Sequence, residues 1–178
     1  MMNRKEFMSA SVMGLGLCAV NPISAASTNR KNSSVDPKVV RKEEGKVQSV
    51  MGDYQNLKLV GADTNGLFTL IEQHNEPGFG IPLHVHENED EVFQVLSGQL
   101  EMTIGGKLTI MNAGDIIFCP RGISHSFKVI GNEKARVMLS IFPSGIENMF
   151  EELAALPSGP PDFEKVSKIC GKYQIQFV

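Results

Sequence analysis

Short apolar runs separated by turn residues dominate the chain between residues 39 and 142. Glycine, asparagine, aspartate and serine cluster between the runs, which cover 47–51, 57–60, 67–73, 91–96, 100–104, 108–111, 116–119, 126–130 and 136–142. Closely spaced runs of this kind are typical of antiparallel strands. In one run, Leu100, Met102 and Ile104 alternate with polar residues, as expected for a strand with one buried face. The pattern predicts an all-β sandwich or barrel.

The periodicity changes after Pro143, where apolar residues recur at helical spacing. The predicted helix begins with a capping box at 144–147, and its apolar face consists of Ile146, Met149, Phe150 and Leu153. A second short helix is predicted from Asp162, as its N-cap, to residue 169 or 170, with Gly171 ending it. We expect both helices to serve packing and to lie outside any functional site.

The first 26 residues have the order of an export signal: a basic start, an apolar stretch and the small residues of 24–26. We expect cleavage after Ala26 and an exported, periplasmic protein. Residues 3–8 resemble a twin-arginine signal with Lys5 in place of the second arginine, so this route and general secretion both stay open. An uncleaved amphipathic helix is the alternative. Residues 27–38 are polar and predict a flexible linker before a barrel at 39–143 and a C-terminal helical segment at 144–178.

Composition narrows the classes of function. The 17 Lys and Arg residues are outnumbered by 20 Asp and Glu residues, which leaves no broad basic surface for nucleic-acid phosphates. The apolar stretch at 7–20 is shorter than the roughly 20 residues that span a bilayer, so we expect no membrane association after signal removal. Cys18, Cys119 and Cys170 are too few for a disulfide scaffold or a cysteine-only zinc site. We expect Cys119 and Cys170 to be free, buried thiols, with a bridge between them as the alternative.

Three of the four histidines lie in two compact motifs. His84 and His86 are two residues apart, so in a strand both imidazoles project to the same side about 6–7 Å apart at Cα. Glu91 begins the inward face of the next strand, where a carboxylate needs a cationic partner such as a divalent metal. His125 comes from a later segment and can complete the set. If the bend after His86 is tight, Glu89 takes the place of Glu91.

The spacing of the two motifs is specific. The first runs Gly78, five residues, His84-Val85-His86, four residues, Glu91, six residues, Gly98; the second runs Gly114, five residues, Pro120-Arg121-Gly122, two residues, His125. Both resemble the motifs of the cupin superfamily. From about residue 45 to 142, and again in its C-terminal tail, the chain is similar to single-barrel cupins of the quercetin 2,3-dioxygenase-like type. Val129 stands where the second motif usually has asparagine.

The resemblance implies an antiparallel cupin (jelly-roll) β-barrel with short C-terminal helices. It implies one divalent transition metal (iron, manganese, nickel, copper or zinc) bound by His84, His86, Glu91 and His125. It further implies a dioxygenase-like enzyme acting on a small aromatic or enolic molecule, in which Glu91 is the catalytic proton acceptor. A homodimer formed through edge strands such as 47–51 is also implied. A metal-dependent isomerase or lyase and a noncatalytic barrel that binds small ligands remain alternatives.

Three apolar side chains near the motifs are candidates for pocket lining: Phe93, Met102 and Phe127. Core packing is the alternative for each, since aromatic residues in a barrel are commonly part of the core. Arg121 either orients an anionic substrate or is an exposed turn arginine.

Glycines in the two motifs have a backbone role. Gly98 and Gly114 stand at turns that we expect to require a positive φ or the close approach of another backbone segment. Pro120 and Gly122 are expected to shape the bend that delivers His125.

Overall fold

Eleven strands and three helices make up the part of the chain described by the computed structural model, residues 35–157 and 159–178. The strands are β1 (Lys46–Val50), β2 (Asp53–Leu59), β3 (Thr69–Asn75), β4 (Gly80–His86), β5 (Asp90–Ser97), β6 (Gln99–Ile104), β7 (Lys107–Asn112), β8 (Ile116–Cys119), β9 (His125–Ile130), β10 (Ala135–Phe142) and β11 (Ile175–Phe177). The helices are α1 (Gly61–Thr64), α2 (Glu147–Ala154) and α3 (Phe163–Lys172). The predicted export signal and residues 27–34 of the predicted linker lie outside the described residues, so export to the periplasm stays a prediction.

The described strands form two antiparallel sheets. The six-stranded sheet has the order β1-β2-β3-β10-β5-β8, and the five-stranded sheet has the order β11-β4-β9-β6-β7. Chain segments cross repeatedly between the two sheets, which is the arrangement of a jelly roll. One hydrophobic core takes buried side chains from both sheets, including Ile71, Leu100 and Ile141. The predicted all-β antiparallel barrel is therefore confirmed.

Strand β10 shows how side-chain alternation orients the interior of the six-stranded sheet. Val137, Leu139 and Ile141 are buried, whereas the residues between them are only partly buried. β10 lies between β3 and β5, where Val137 pairs with Gln73 and Ile141 pairs with Glu91. Because cross-strand partners point to the same face, Gln73 and Glu91 both point into the barrel.

The two C-terminal helices differ in detail from their predicted forms. The capping box is wrong, because α2 has Ile146 as its N-cap and no side-chain cap hydrogen bond there. The predicted N-cap of α3 is confirmed, since the Asp162 carboxylate accepts a hydrogen bond of 3.2 Å from the Lys165 N–H. Gly171 does not end α3, which continues to Lys172; the nearest positive φ falls on Gln174.

Both helices pack against the barrel. Met149 and Leu153 of α2 and Val166 and Cys170 of α3 belong to the same buried cluster as the strand residues. Cys119 and Cys170 are free and buried, as expected. None of the helices in the described segments is long and apolar enough to cross a membrane.

One edge of the six-stranded sheet is β1, on which Val47 is exposed. An unpaired edge is what the predicted homodimer requires. The dimer itself stays a prediction.

The first residue of α2 ties the helix to the barrel. The Glu147 carboxylate accepts hydrogen bonds from the Gly61 N–H (2.8 Å), the Thr69 hydroxyl (2.6 Å) and the Gly145 N–H (2.7 Å). Burial opposes the charge of Glu147, but these donors outweigh burial and lower its pKa below the usual value of 4.5. The ionised carboxylate therefore stabilises the fold above that pH, and the contribution is lost as pH falls through the lowered pKa.

We expect Glu147→Gln to reduce the free energy of unfolding by about 2 kcal/mol at pH 7, because one amide oxygen cannot serve all three donors. The difference from wild type should shrink as the pH falls below 4.5. Denaturant titrations at several pH values measure both effects. Glu164→Gln, at an exposed position in the first turn of α3, is the control with little change. An equal loss at pH 7 and at acidic pH would contradict the assignment.

Candidate metal centre

Four buried side chains converge inside the barrel. One potential ligand atom from each of His84, His86, Glu91 and His125 lies within 4.8 Å of the other three. All four residues are at most 7% exposed. The histidines come from β4 and β9 of the five-stranded sheet, whereas Glu91 comes from β5 of the six-stranded sheet. The structure thus brings together all four residues that the sequence motifs singled out.

Strand pairing and one turn place the histidines. His84 of β4 pairs directly with His125 of β9, and their ring centroids are 4.4 Å apart. The N–H of Gly122, which has a φ of +75°, donates a 2.7 Å hydrogen bond to the carbonyl of His86. The turn that precedes β9 is therefore anchored to the end of β4, which holds His125 beside the other two rings.

The Nδ1 atom of each imidazole has an acceptor on its outer side. Nδ1 of His84 lies 2.8 Å from the Pro82 carbonyl, and Nδ1 of His125 lies 3.2 Å from the Ile123 carbonyl. Nδ1 of His86 lies 3.3 Å from Oε2 of Glu89. These acceptors favour the tautomer with the proton on Nδ1, which leaves the Nε2 lone pairs free to face the centre.

The electrostatics of the four groups are strongly coupled. Burial disfavours the charge of Glu91, but His86, His125 and His84 outweigh burial and hold its pKa at about 2. Burial lowers the pKa of His84 to about 4 despite the attraction of Glu91. Burial also acts against protonation of His86, but Glu91 and Glu89 outweigh it and raise that pKa. The cluster therefore presents an ionised carboxylate and neutral His84 near neutral pH.

The donor set fits a divalent transition metal. Nε2 of His125 lies 2.8 Å from Oε2 of Glu91, and Nε2 of His86 lies 3.8 Å from Oε1. Ligand atoms about 2.1 Å from a shared ion are separated by about 3–4 Å, so this spacing needs little adjustment. Imidazole nitrogens with one carboxylate suit several transition metals, and no Lys or Arg contacts Glu91 in the described residues.

The comparison with protein families agrees with this geometry. Residues 71–142, which span all four candidate ligands, match the family described as "Cupin domain". The chain contains a cupin domain. The predicted resemblance is thereby confirmed.

Known proteins similar to this cupin have diverse names. Quercetin 2,3-dioxygenase of Bacillus subtilis is 30% identical over 93 residues, which is 52% of this chain and 28% of that protein. The oxalate-binding protein of Thermotoga maritima is 39% identical over 56 residues, covering 32% of this chain and 46% of that protein. The polyketide cyclase RemF from Streptomyces resistomycificus has a solved structure with a TM-score of 0.51 and 26% identity, covering 61% of this chain and 80% of that one. The chain spans less than half the length of these two curated relatives.

Glu89 contacts the candidate ligand His86 and does not replace Glu91 as a ligand. Its carboxylate contacts Nδ1 of His86 on the side away from the other imidazoles, and the candidate metal group contains Glu91 instead. The bend after His86 is therefore not tight enough for Glu89 to take the place of Glu91. A carboxylate at this place orients the ring and strengthens it as a ligand.

We expect Glu89→Ala to weaken metal binding about tenfold, in line with other carboxylate partners of ligand histidines. Competition with a chromogenic chelator measures the affinity. Glu87→Ala is the matched control, because the Glu87 carboxylate lies two residues away in the same acidic turn and contacts Gln176 instead of a histidine. Equal metal affinities of the wild type and the Glu89 variant would show that Glu89 does not support metal binding.

A cavity of about 240 Å³ adjoins the candidate centre, and His84, His86 and Glu91 form part of its wall. Phe93 and Phe127 line it as predicted. Met102 does not line it, because its side chain is fully buried in the core.

The helices and the last strand also line this cavity, with side chains that include Met149, Phe150, Phe163 and Phe177. The expectation that the helices lie outside the site is therefore wrong. Phe177 of β11 pairs with His84, and its ring centroid lies 6.2 Å from that imidazole. Arg121 is a half-exposed turn residue that forms a two-point ion pair with Asp90.

Sequence reasoning missed a polar part of the cavity wall. Asp53, Gln55 and Gln73 line the cavity together with the candidate ligands and the phenylalanines. The sequence feature that could have revealed them is the presence of polar residues at inward positions of β2 and β3, where apolar residues are expected.

Proposed function

We propose that this cupin is a metal-dependent dioxygenase that acts on a small aromatic or enolic molecule. The observation that carries the proposal is a buried group of three histidines and one glutamate that opens onto a cavity lined mainly by apolar and aromatic side chains. A bound transition metal would supply Lewis acidity and redox chemistry at this point. A flat, largely apolar molecule with an enol oxygen at one end matches such a cavity.

The histidines, Glu91 and the aromatic wall have different roles in the proposed reaction. His84, His86 and His125 hold the centre in place through their outer contacts. Glu91 enters the reaction ionised, and a carboxylate with two oxygens can take the proton of an enol with one of them. The aromatic wall, including Phe93 and Phe127, excludes water and positions the ring of the substrate.

The similarity to a protein named quercetin 2,3-dioxygenase supports a flavonol as the first substrate to test. The similarity to a polyketide cyclase supports an aromatic or enolic molecule without requiring dioxygen. The cavity volume of about 240 Å³ lies below the range of about 300–1,000 Å³ for pockets that bind drug-sized ligands, so it favours a small substrate.

Oxygen uptake with 3-hydroxyflavone tests the proposal. Protein loaded separately with iron, manganese, nickel or copper should consume oxygen with at least one metal, and His86→Ala should reduce the rate by at least about 100-fold. Metal-loaded protein that is inert towards flavonols and related enols would refute the dioxygenase. Turnover that persists with zinc in the absence of oxygen would instead identify an isomerase or lyase.

A further inference from the structure

Three of the four candidate ligands lie at the ends of their strands. His86 is the last residue of β4, Glu91 is the second residue of β5, and His125 is the first residue of β9. Strand ends open at a lower free energy than strand centres, because fewer neighbouring contacts hold them. A metal centre built from such positions needs contacts besides the strand pairing to keep its ligands in place.

The turn between β8 and β9 is tied to two of these strand ends. The N–H of Gly122 donates a 2.7 Å hydrogen bond to the carbonyl of His86, at the end of β4. The preceding N–H, that of Arg121, donates a 2.9 Å hydrogen bond to the carboxylate of Asp90, at the start of β5. Because the turn leads directly into His125, its position determines where β9 begins.

The side chain of Arg121 strengthens the second of these contacts. Its Nε donates a hydrogen bond of 3.0 Å to Oδ1 of Asp90, and its Nη2 donates one of 2.7 Å to Oδ2. Nη2 also donates a 3.4 Å hydrogen bond to the carbonyl of Phe142, the residue of β10 that pairs with Asp90. Two parallel hydrogen bonds between a guanidinium and a carboxylate fix their relative orientation. One side chain therefore joins the turn after β8 to the start of β5 and the end of β10.

The ion pair lies outside the cavity. Asp90 and Glu91 are successive strand residues, so their side chains point to opposite faces of the sheet. The side chains of Arg121 and Asp90 are 47% and 27% exposed, whereas Glu91 is buried inside the barrel. Neither member of the pair lines the cavity. The pair can therefore affect a bound ion only through the backbone that carries the ligands.

We propose that Arg121 is a positioning residue of the candidate metal centre. Through Asp90, it holds the start of β5 and the turn before β9 in the arrangement that Glu91 and His125 need before an ion binds. The inference rests on the metal centre of the proposed function but not on the reaction. Without the pair, the ion must itself order the two segments, and the free-energy cost of that ordering reduces its affinity.

Zinc affinity tests this role without substrate or turnover. Competition with a chromogenic chelator measures it for Arg121→Met, which removes the guanidinium, and for Asp90→Asn, which removes the charge and one acceptor oxygen. We expect each change to weaken zinc binding about tenfold, the lower end of the range for groups that support metal ligands. Arg121→Lys should fall between wild type and Arg121→Met, because lysine keeps the charge without the two parallel donors.

The double variant Arg121→Met/Asp90→Asn shows whether the two residues act as a pair. Each single change breaks the same contact, so we expect the double variant to bind zinc about tenfold less tightly than wild type, not about 100-fold.

The matched control is Lys134→Met, which breaks another exposed ion pair, with Glu76. Lys134 precedes β10, whereas Glu91 pairs with Ile141 near the other end of that strand. This variant should keep the zinc affinity of wild type. Denaturant titrations of the zinc-free proteins show which variants fold, and two single variants are used so that misfolding of one still leaves a result.

Folded variants with the zinc affinity of wild type would overturn the inference even if their free energy of unfolding is reduced, because the pair would then serve the fold alone. Additive losses in the double variant would also overturn it, since the two residues would then act through separate contacts. A wild type that binds no zinc would overturn both this inference and the metal centre.

The dioxygenase and the positioning role fail separately, because zinc binding requires neither oxygen nor a flavonol. Oxygen uptake by wild type together with unchanged zinc affinity in the variants refutes only the positioning role. Weakened zinc binding in the variants without oxygen uptake by wild type refutes only the dioxygenase.

Discussion

Replacing His125 by alanine is expected to reduce the bound metal from about one ion per chain to less than a tenth of that value under competition with a chelator. The loss of a carboxylate partner behind a ligand already weakens metal binding about 10–100-fold, so the loss of a ligand itself should cost at least about 100-fold. His125 also provides the 2.8 Å contact of Glu91, so its removal disturbs two of the four groups. Elemental analysis of the purified variant measures the metal.

The control for this experiment is His74→Ala. His74 lies outside the candidate centre, is partly exposed, and pairs with Glu72 on the six-stranded sheet. That variant should keep its metal. Thermal unfolding of both metal-free variants shows whether they fold. A folded His125→Ala protein with the wild-type metal content would remove His125 from the ligand set.

Gly98→Ala is expected to destabilise the fold by about 3 kcal/mol, because two effects add. Gly98, in the turn between β5 and β6, has a φ of +75°, which is costly for residues with a side chain. An added Cβ would also lie 2.7 Å from the Lys134 carbonyl oxygen and 2.8 Å from Cα of Ala135. Both neighbours are backbone atoms, so they cannot move aside cheaply.

Gly114→Ala separates these two effects. Gly114 has a φ of +97°, but an added Cβ there would meet no described atom within 4 Å. This variant should lose only the conformational cost, about 1 kcal/mol, and remain about 2 kcal/mol more stable than Gly98→Ala. Denaturant titration of the two variants measures the difference. Equal stabilities would show that the close backbone approach at Gly98 does not affect the free energy of unfolding.

The sequence was sufficient for the parts of the molecule that depend on local pattern. Alternation along the strands predicted the antiparallel barrel, and the spacing of His84, His86 and His125 predicted their convergence. The positive φ values at Gly98 and Gly114 also follow from local turn chemistry and are confirmed. Each of these properties is fixed by neighbours within a few residues or by a motif with set spacing.

The sequence pattern did not predict the polar and C-terminal parts of the cavity wall, because contacts between residues far apart in the sequence form them. The second strand was predicted as 57–60, whereas β2 spans Asp53–Leu59, so Asp53 and Gln55 were placed outside it. Because both residues are polar, the apolar pattern did not reveal the first half of β2, in which the inward carboxylate of Asp53 accepts a hydrogen bond from Gln73 of β3. β11 was missed because three residues are too few to show a period, and it is fixed only by its pairing with β4.

X-ray absorption spectroscopy of the metal-loaded protein shows whether His84, His86, Glu91 and His125 bind an ion together, because it counts the groups around the ion. We expect one ion per chain with about three imidazoles and carboxylate oxygen in a five- or six-coordinate shell. A spectrum with at most one imidazole, or a protein that retains no ion, would contradict it.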